Sequence, residues 1–474
     1  MCEMHSRHLL LIIVLFLGFS IPTRSVGATE ITVPGDYPTI QAAINVAAAG
    51  DTILVSAGVH EGKIVIDRPL HLVGVSRENT FIDGQGCTAL TCESPVVLVN
   101  SNDVEIRGFT ILNPDVYGVG VFAKGVSNVN VTDNVITSTM EEGDGVRLTE
   151  VSGCVVSDNV FRVNLFAVNI TDSSFNLIVR NIVEGSNVAG IELFGGKNNT
   201  VAGNTVMAEE NGVELVRSAN NTVSGNILKR GSIHGIMLEG SSKNTVVENN
   251  FLQNRIGINV QFSRENIFYL NNFVSSVFRQ VSHVDEADLP FNRWDNGTAG
   301  NYWDDYTGLD DGSNGRTIGD GIGDTGVPHR SVDNYPLMAP FVPVALLVRA
   351  VTASPIMGRA PLGVSFSADV VGGLKPYSYS WTLGDRNSAS QQGFLHTYSS
   401  AGSYNVRVRV SDSAGSRDEN FVTVSVGLGV EEPPNLWLWW VAGVVGVAGA
   451  LIGLGVFLAR RTRHECRPGL KPVR

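Results

Sequence analysis

The middle of the chain repeats with a period of about 22 residues, and this repeat constrains the fold more than any other feature. One series of short runs recurs at this period: GVRL, AVNI, GIEL, GVEL, GIML and GINV. Apolar and polar residues alternate in these runs, as in strands with one buried face. A fixed period of this length predicts a solenoid. Another series, in phase with these runs, is marked by asparagines at Asn134, Asn159, Asn181, Asn204, Asn226, Asn250 and Asn272.

The composition of the repeats predicts a β-solenoid and not a helical one. The runs are short and rich in Val, Ile and Thr, and the LxxLxL pattern of leucine-rich repeats is missing. Coils of such a fold stack at about 4.8 Å, so equivalent residues form ladders. We expect apolar ladders in the core and Asn ladders in the turns, where Asn tolerates left-handed geometry and its amide bonds to its neighbours. A short amphipathic helix over residues 39–44 is expected to cap the first coil.

Charge and cysteine content narrow the partners and the compartment. The chain of 474 residues carries a net charge of −12, which argues against a nucleic-acid partner because phosphate binding needs clustered Lys and Arg. Cys87 and Cys92 lie close together and suit a small disulfide in an oxidising compartment. Cys154 lies between valines and small residues, and we expect it to be a buried free thiol.

Both ends of the chain carry targeting patterns. Residues 1–28 combine basic residues, an apolar run and small residues, as in a secretory signal peptide. Residues 436–459 carry no charge, begin with tryptophans and precede a run of arginines, which predicts a transmembrane helix. We therefore expect a single-pass cell-membrane protein whose residues 29–435 face outward, with a linker at 428–435 and a cytoplasmic tail at 460–474.

Three stretches of the sequence resemble known β-helix proteins. ITVPGDYPTIQAAINVAAAGDTILV resembles the start of pectin-lyase-like proteins, and the Asn-marked coils resemble the repeats of NosD-like proteins. GNYWDDYTG, DGIGDTG and DNYPLM resemble the end of NosD-like domains. The resemblance implies an all-β, right-handed parallel β-helix over residues 29–284, with an acidic, Gly-rich end at 285–341. It implies no activity, because this superfamily includes lyases, hydrolases, esterases, adhesins and non-enzymes.

A second module follows at residues 345–427. Short alternating strands punctuated by prolines predict a small β-sandwich, and YSYSWTLGD with HTYSSAGSYNVRVRVSDSAG resembles a polycystic-kidney-disease (PKD) domain. The resemblance implies a buried Trp381, and a strand facing it with Tyr404, Val406, Val408 and Val410. Such proteins often have FGDG where this chain has Leu383-Gly384-Asp385-Arg386.

The strongest candidate for chemistry is the pair Glu192 and Glu214, each third in its strand in adjacent coils. Alternation turns both side chains outward, one coil or about 5 Å apart. That is near the spacing of the two carboxyls of a retaining glycosidase, so we assign the pair as candidate catalytic residues. The same row holds candidate ligand-binding residues at Arg147, Asn169 and Asn259, with Met237 between them. The alternative is a solvated face without a role.

The second candidate is an acidic, Gly-rich loop at residues 304–324. Hard oxygen ligands on such turns suit Ca²⁺, although the spacing is not that of an EF-hand. The candidate ligands are Asp310, Asp311, Asn314, Asp320 and Asp324. Copper, suggested only by the NosD name, prefers clustered His, Met or Cys, whereas the histidines here are scattered; we expect no copper site.

These observations together lead to an expectation about function. We expect a cell-surface protein that binds extracellular polysaccharide or a surface glycoprotein. One alternative is an active glycoside hydrolase or polysaccharide lyase, and another is a structural surface protein or adhesin. The sequence alone does not decide whether the chain is an enzyme.

Overall fold

The computed structural model describes residues 28–84, 94–113, 115, 117–138, 143–231, 233–283, 291–341 and 343–428. They form two compact units that divide between Ala345 and Leu346. Among the described residues, no helix is long and apolar enough to cross a membrane. The predicted Cys87–Cys92 disulfide, transmembrane helix and cytoplasmic tail lie outside the described residues, as do nearly all of the signal peptide and the linker.

The first unit is a parallel β-solenoid of about ten turns with three faces. Face 1 contains β1 (Glu30–Val33), β2 (Thr52–Val55), β5 (Leu70–Gly74), β8 (Val104–Arg107), β11 (Val129–Thr132), β14 (Val155–Ser157), β16 (Leu177–Val179), β18 (Thr200–Ala202), β21 (Thr222–Ser224), β24 (Thr245–Val247) and β27 (Ile267–Tyr269). The predicted right-handed winding stays a prediction.

Faces 2 and 3 join where β15 (Val160–Thr171) and β17 (Ile182–Phe194) run through the bend between them. Face 2 contains β3 (Gly58–Glu61), β6 (Thr80–Asp83), β9 (Thr110–Asn113), β12 (Val135–Ser138), β19 (Thr205–Met207), β22 (Ile227–Lys229), β25 (Asn250–Leu252), β28 (Asn272–Val274) and β30 (Tyr302–Trp303). Face 3 contains β4 (Ile64–Ile66), β7 (Val97–Val99), β10 (Val119–Lys124), β13 (Asp144–Thr149), β20 (Asn211–Val216), β23 (His234–Glu239), β26 (Ile256–Gln261) and β29 (Arg279–His283).

The core of the solenoid is built from the inward positions of these strands, as the alternation predicts. Val, Ile and Leu at those positions are buried on every face. The predicted cap is also confirmed: α1 (Ile40–Val46) buries Ile40, Ala43 and Ile44 against the first coils. Its N-terminus is fixed by Thr39, whose Oγ1 accepts from the Ala42 N–H at 3.1 Å.

Aromatic rings replace aliphatic side chains in the last coils, which the sequence analysis did not anticipate. Phe251 stacks on Phe273 and Phe273 on Trp303, with ring centres 4.8 and 4.4 Å apart. Phe268 stacks on Trp294 at 4.3 Å in the same way. Because the coils are in register, successive rings lie parallel and one coil apart, which gives the offset stacking that aromatic pairs favour.

An asparagine ladder runs through the turn between faces 1 and 2. Each buried amide accepts, through Oδ1, from the backbone N–H and the Nδ2 of the ladder residue one coil earlier. The last residue, Asn301, donates its backbone N–H to the buried carboxylate of Asp333 at 2.7 Å. The members are Asn134, Asn159, Asn181, Asn204, Asn226, Asn249, Asn271 and Asn301.

Two expectations about this ladder are corrected. Asn249 and Asn271 are its members, whereas Asn250 and Asn272 begin face 2 strands and bond to each other at 3.1 Å. The left-handed geometry does not belong to the ladder asparagines. In every coil but the last it belongs to the residue before the asparagine, such as Asp133 at φ 54°. The amide must point inward to meet its neighbours, so the turn conformation is adopted one position earlier.

A second amide ladder, at the turn between faces 3 and 1, contains Cys154 as its first described member. The Cys154 Sγ lies 3.4 Å from the Val129 N–H, and the Cys154 N–H donates to Asn176 Oδ1 at 2.9 Å. The thiol is free and fully buried, as expected, and burial raises its pKa. The cysteine thus occupies the position that asparagine takes in the following coils.

The glycines that begin the face 3 runs are explained by close packing at the bend. A Cβ on Gly235 would lie 2.6 Å from the Gly257 carbonyl oxygen and 2.6 Å from a ring carbon of Phe251. The coil that has Ala167 instead shows a register shift between Asn164 and Phe166 in the β15–β17 pair. The bend therefore favours glycine without requiring it, since Gln280 is paired opposite Gly257 in an unshifted register.

The second unit is a β-sandwich of two sheets. One sheet contains β31 (Leu347–Ser354), β33 (Leu362–Val371) and β36 (Gly393–Tyr398). The other contains β32 (Met357–Arg359), β34 (Ser378–Thr382), β35 (Ser388–Ala389), β37 (Gly402–Ser411) and β38 (Arg417–Gly427). Its core is separate from that of the solenoid.

Trp381 is fully buried in this core, as predicted, but the valine strand does not face it. β37 pairs with β34 in the same sheet, and Val408 lies directly beside Trp381. The facing sheet supplies Phe366 and Phe394, whose ring centres are 6.0 and 5.1 Å from the indole. In the turn Leu383-Gly384-Asp385-Arg386, which differs from the FGDG pattern, Arg386 has φ 74°, a left-handed conformation that favours glycine.

We predict that Asn226→Ala destabilises the solenoid by about 3 kcal/mol, because buried groups left without partners cost roughly 1–3 kcal/mol each. The substitution removes the acceptor of the Asn204 N–H and Nδ2 and the donor to the Val201 carbonyl. Chemical unfolding of the full-length protein, followed by circular dichroism, measures the change. The control is Asn130→Ala on the outer side of β11; equal effects of the two would contradict a structural role of the ladder.

Candidate functional site

The predicted catalytic and ligand-binding residues lie in one row on the outer side of face 3. Backbone pairing sets Arg147 beside Asn169, Asn169 beside Glu192, and Glu192 beside Glu214. The row continues through Met237 to Asn259. We call these six residues the face 3 ladder. The inward neighbours of Glu192 and Glu214 are fully buried, namely Ile191, Leu193, Val213 and Leu215.

The face 3 ladder is more enclosed than an open solvated face. Glu192 and Glu214 are half-buried, and Met237 and Asn259 are only 7% and 5% exposed. The Oδ1 of Asn259 has no hydrogen-bond partner in the described part of the chain. Partly desolvated polar groups interact more strongly with a ligand than groups surrounded by water.

Glu192 holds its proton unusually tightly. Burial, followed by the charges of Glu214 and Asp144, raises its pKa to about 7, and Arg147 opposes this rise. No described residue donates a hydrogen bond to its carboxylate. At neutral pH this group is therefore present in both protonated and ionised forms, and it can donate as well as accept a proton.

Glu214 belongs to a hydrogen-bonded chain that crosses three coils. Its Oε2 accepts from Asn211 Nδ2 at 3.1 Å, and Asn211 Oδ1 accepts from His234 Nδ1 at 2.8 Å. Asn259 Nδ2 donates to the other ring nitrogen, Nε2, at 2.9 Å. An amide nitrogen only donates, so His234 is neutral with its proton on Nδ1.

The electrostatics agree with this assignment. Burial, helped by the positive charge of Arg255, lowers the pKa of His234 to about 4. Burial also raises the pKa of Glu214, which the hydrogen bond from Asn211 opposes. The network thus presents a fixed, neutral imidazole beside a carboxyl group that resists ionisation.

Arg147 is already engaged by an acid on its own strand. Its Nε donates to Asp144 Oδ2 at 2.7 Å, and Asp144 is fully buried. Burial raises the pKa of Asp144, although Arg147 opposes the effect. The predicted ligand-binding arginine therefore also compensates a buried acid.

Sequence reasoning did not select Asp144, Asn211 and His234 as site residues. Each lies three positions before a residue of the face 3 ladder, and Asn211 and His234 are in register with each other. The same repeat alignment that brought Glu192 and Glu214 together would have found them. The missing step was to read the polar residues of the preceding bend as part of the same surface.

The acidic loop is organised by its own carboxylates. Asp310 accepts from the Gly319 and Gly321 N–H groups at 2.6 and 2.8 Å, and Asp311 and Asp320 accept from backbone N–H groups two residues on. Asn314 Nδ2 donates to the Asp324 carbonyl at 2.8 Å. Asp324 is fully buried; its Oδ2 accepts from the Gly312 N–H, and its Oδ1 has no described partner.

Metal-binding side chains do not converge in the described parts of the chain. No group there brings three or more His, Cys, Asp or Glu residues into range of one ion. The histidines with described side chains each have a separate partner: His60 with the Ser56 carbonyl, His71 with Glu105, His234 with Asn211 and Asn259, His329 with Asp305, and His396 with Asp385. The predicted Ca²⁺ site stays a prediction.

Likenesses to solved structures are distant. The enzymatically active domain of bacteriophage CBA120 tailspike protein 2 is 8% identical, with 84% of this chain and 70% of that chain covered and a TM-score of 0.43. The periplasmic alginate epimerase AlgG is 13% identical, with coverage of 49% and 75% and a TM-score of 0.31. A structure from a study of β-sandwich carbohydrate-binding modules is 21% identical, with coverage of 19% and 38% and a TM-score of 0.18. These values carry no argument about function.

Family models match both units, while no curated protein matches the chain. The PKD domain model matches residues 350–425, which confirms the identification of the second unit. The model described as periplasmic copper-binding protein (NosD) matches residues 50–308, more than half of the chain. The solenoid and its Asn-marked coils therefore identify this chain as a member of the NosD family.

Proposed function

We propose that the protein lies outside the cytoplasm, anchored in the cell membrane by residues 436–459, and that its solenoid binds extracellular polysaccharide or glycoprotein. The signal-peptide pattern and the positive residues after the apolar segment support this orientation. The family description, which names a periplasmic protein, agrees with an extracytoplasmic location.

The face 3 ladder is the proposed carbohydrate-binding surface, and its half-buried row of mixed donors and acceptors is the observation that carries the proposal. Glu192 and Glu214 can accept from sugar hydroxyls, and Glu192 can also donate when protonated. A row of side chains at a regular spacing suits a polymer whose own groups repeat along its length.

Copper, which the family description names, does not fit the described residues. Copper sites use clustered His, Met or Cys, and here the histidines are dispersed among separate partners. His234 lies near Met237 on β23, but both of its ring nitrogens are already engaged. The proposal therefore includes no copper-dependent step.

Hydrolysis or lysis of the bound glycan is the second candidate. It is favoured by two carboxyls in register, about 5 Å apart, whose environments differ. In hydrolysis, Glu192, which has no internal donor, would protonate the glycosidic oxygen as that bond breaks, while ionised Glu214, which accepts from Asn211, attacks the anomeric carbon. Water deprotonated by Glu192 would then release the sugar from Glu214. A structural or adhesive surface protein remains the alternative if no glycan binds.

A Ca²⁺ ion in the acidic loop is a further proposal, supported by the unpartnered and buried Oδ1 of Asp324. Oxygen ligands on Gly-rich turns suit this ion. The ion would be bound by Asp310, Asp311, Asn314, Asp320 and Asp324 and would so stabilise the end of the solenoid.

Glycan binding is tested by screening the full-length protein on a glycan array and assaying the hits for new reducing ends. We expect Glu192→Gln with Glu214→Gln to weaken binding about 10-fold, which corresponds to about 1.4 kcal/mol. The control is Glu184→Gln, an exposed glutamate of the same strand. Lost turnover with retained binding would identify an enzyme, and a double variant that behaves like the parent would place the binding surface elsewhere.

The raised pKa of Glu192 predicts a pH dependence of stability. The folded state binds the proton more tightly than the unfolded state, so stability falls as the pH rises from about 4.5 to about 7. We expect Glu192→Gln to raise the melting temperature at pH 8 and to change it little at pH 4. Thermal melts at both pH values check this, with Glu184→Gln as control. A Glu192→Gln variant with the same pH profile as the parent would rule the effect out.

The Ca²⁺ proposal predicts a higher melting temperature in calcium than in chelator, because ligand at 100 times its Kd adds about 2.7 kcal/mol. Asp324→Asn keeps the shape of the side chain and should remove the difference. Equal melting temperatures of the parent protein in calcium and in chelator would speak against the site.

A further inference from the structure

Two arginines and an exposed phenylalanine form a cluster at the edge of face 3, which we call the Arg-Phe-Arg cluster: Arg255, Phe278 and Arg279. The guanidinium carbons of Arg255 and Arg279 lie 5.8 and 5.2 Å from the centre of the Phe278 ring. Phe278 is 62% exposed. The backbone N–H groups of Phe278 and Arg279 donate to the Arg255 carbonyl at 3.0 and 3.1 Å, which holds the three residues together.

The Arg-Phe-Arg cluster adjoins the C-terminal part of the face 3 ladder. Arg279 is in register with Ile256, and Ile256 with His234. His234 in turn accepts from Asn259 of the ladder at 2.9 Å. Arg255 is near enough for its charge to affect the ionisation of His234. A ligand that follows the ladder therefore reaches the cluster.

The charges of the Arg-Phe-Arg cluster are not neutralised within the described residues. Neither Arg255 nor Arg279 forms an ion pair there, although the protein has a net charge of −12. Other arginines of the solenoid do pair: Arg147 with Asp144, Arg162 with Glu184, and Arg180 with Asp158. Exposed guanidinium groups without a carboxylate keep their N–H donors available for an external oxyanion.

We propose that the Arg-Phe-Arg cluster binds an acidic substituent, a carboxylate or a sulfate ester, on the carbohydrate chain that occupies the face 3 ladder. The inference rests on the proposed carbohydrate binding and adds the chemical class of the ligand. The guanidinium groups bind the oxyanion through paired N–H donors, and the Phe278 ring packs against the apolar face of a sugar.

The Arg-Phe-Arg cluster lies far enough from Glu192 and Glu214 for one ligand to place an acidic group at the arginines and a neutral part at the glutamates. Glu214 is three coils from β29, about 14 Å along the solenoid at the usual strand spacing. An anionic substituent beside Glu192 and Glu214 would be repelled, and the repulsion weakens with distance. The surface therefore favours a chain whose neutral part lies at the glutamates and whose acidic group lies at the arginines.

The test compares dextran, carboxymethyl dextran and dextran sulfate, which share one backbone, for binding to the full-length protein. We expect an anionic dextran to bind at least about 10-fold more tightly than dextran, since hydrogen bonds between charged groups are stronger than those between neutral groups. Arg255→Gln and Arg279→Gln should remove this preference. The matched control is Arg293→Gln, which removes the same charge from an exposed arginine next to β27 on face 1.

The two anionic polymers distinguish a carboxylate-binding from a sulfate-binding cluster. The inference is overturned if all three polymers bind equally, if no anionic polymer binds, or if Arg293→Gln reduces the preference as much as Arg279→Gln. In each of these cases the proposed carbohydrate binding is decided separately, by the glycan array and the Glu192 and Glu214 variants.

Discussion

The register between successive coils is the constraint on which the rest of the structure depends. Backbone pairing alone allows a parallel strand to slip, but the buried asparagine ladder does not. Each amide must meet a backbone N–H and an amide nitrogen of the previous coil, as Asn226 meets Asn204. A slip of one residue would turn core side chains outward and leave these buried groups without partners. The series ends on Asp333, whose carboxylate also accepts from the indole of Trp303.

The same register places like charges side by side at the candidate site. Elsewhere on the solenoid, adjacent coils set opposite charges together, as in Arg162 with Glu184. Glu192 and Glu214 repel each other by about 0.8 kcal/mol at 5 Å in water, and by more where they are half-buried. The solenoid tolerates this cost because its cohesion is a sum over many coil interfaces. Local unfavourable arrangements of this kind occur mainly where a surface has a function.

The PKD unit shows how packing overrides a local sequence preference. Arg386 occupies a left-handed position where related domains often have glycine. The turn is held from both sides, because Asp385 accepts from His396 at 2.7 Å and from the Asn387 N–H at 3.1 Å. A conformation that costs an ordinary residue energy persists when the surrounding contacts determine it. The departure from the FGDG pattern therefore leaves the sandwich intact.

The sequence by itself determined the solenoid, the sandwich and the alignment of Glu192 with Glu214, because a repeat period and an alternation of polar and apolar residues can be read directly from the order of the residues. Only the tertiary structure decided that Asn249 and not Asn250 joins the ladder, since either residue of the pair satisfies the period. It also decided the link between His234 and Asn259 and the raised pKa of Glu192. Those properties depend on distances between residues more than 20 positions apart and on how much water the bend excludes, which no local pattern specifies.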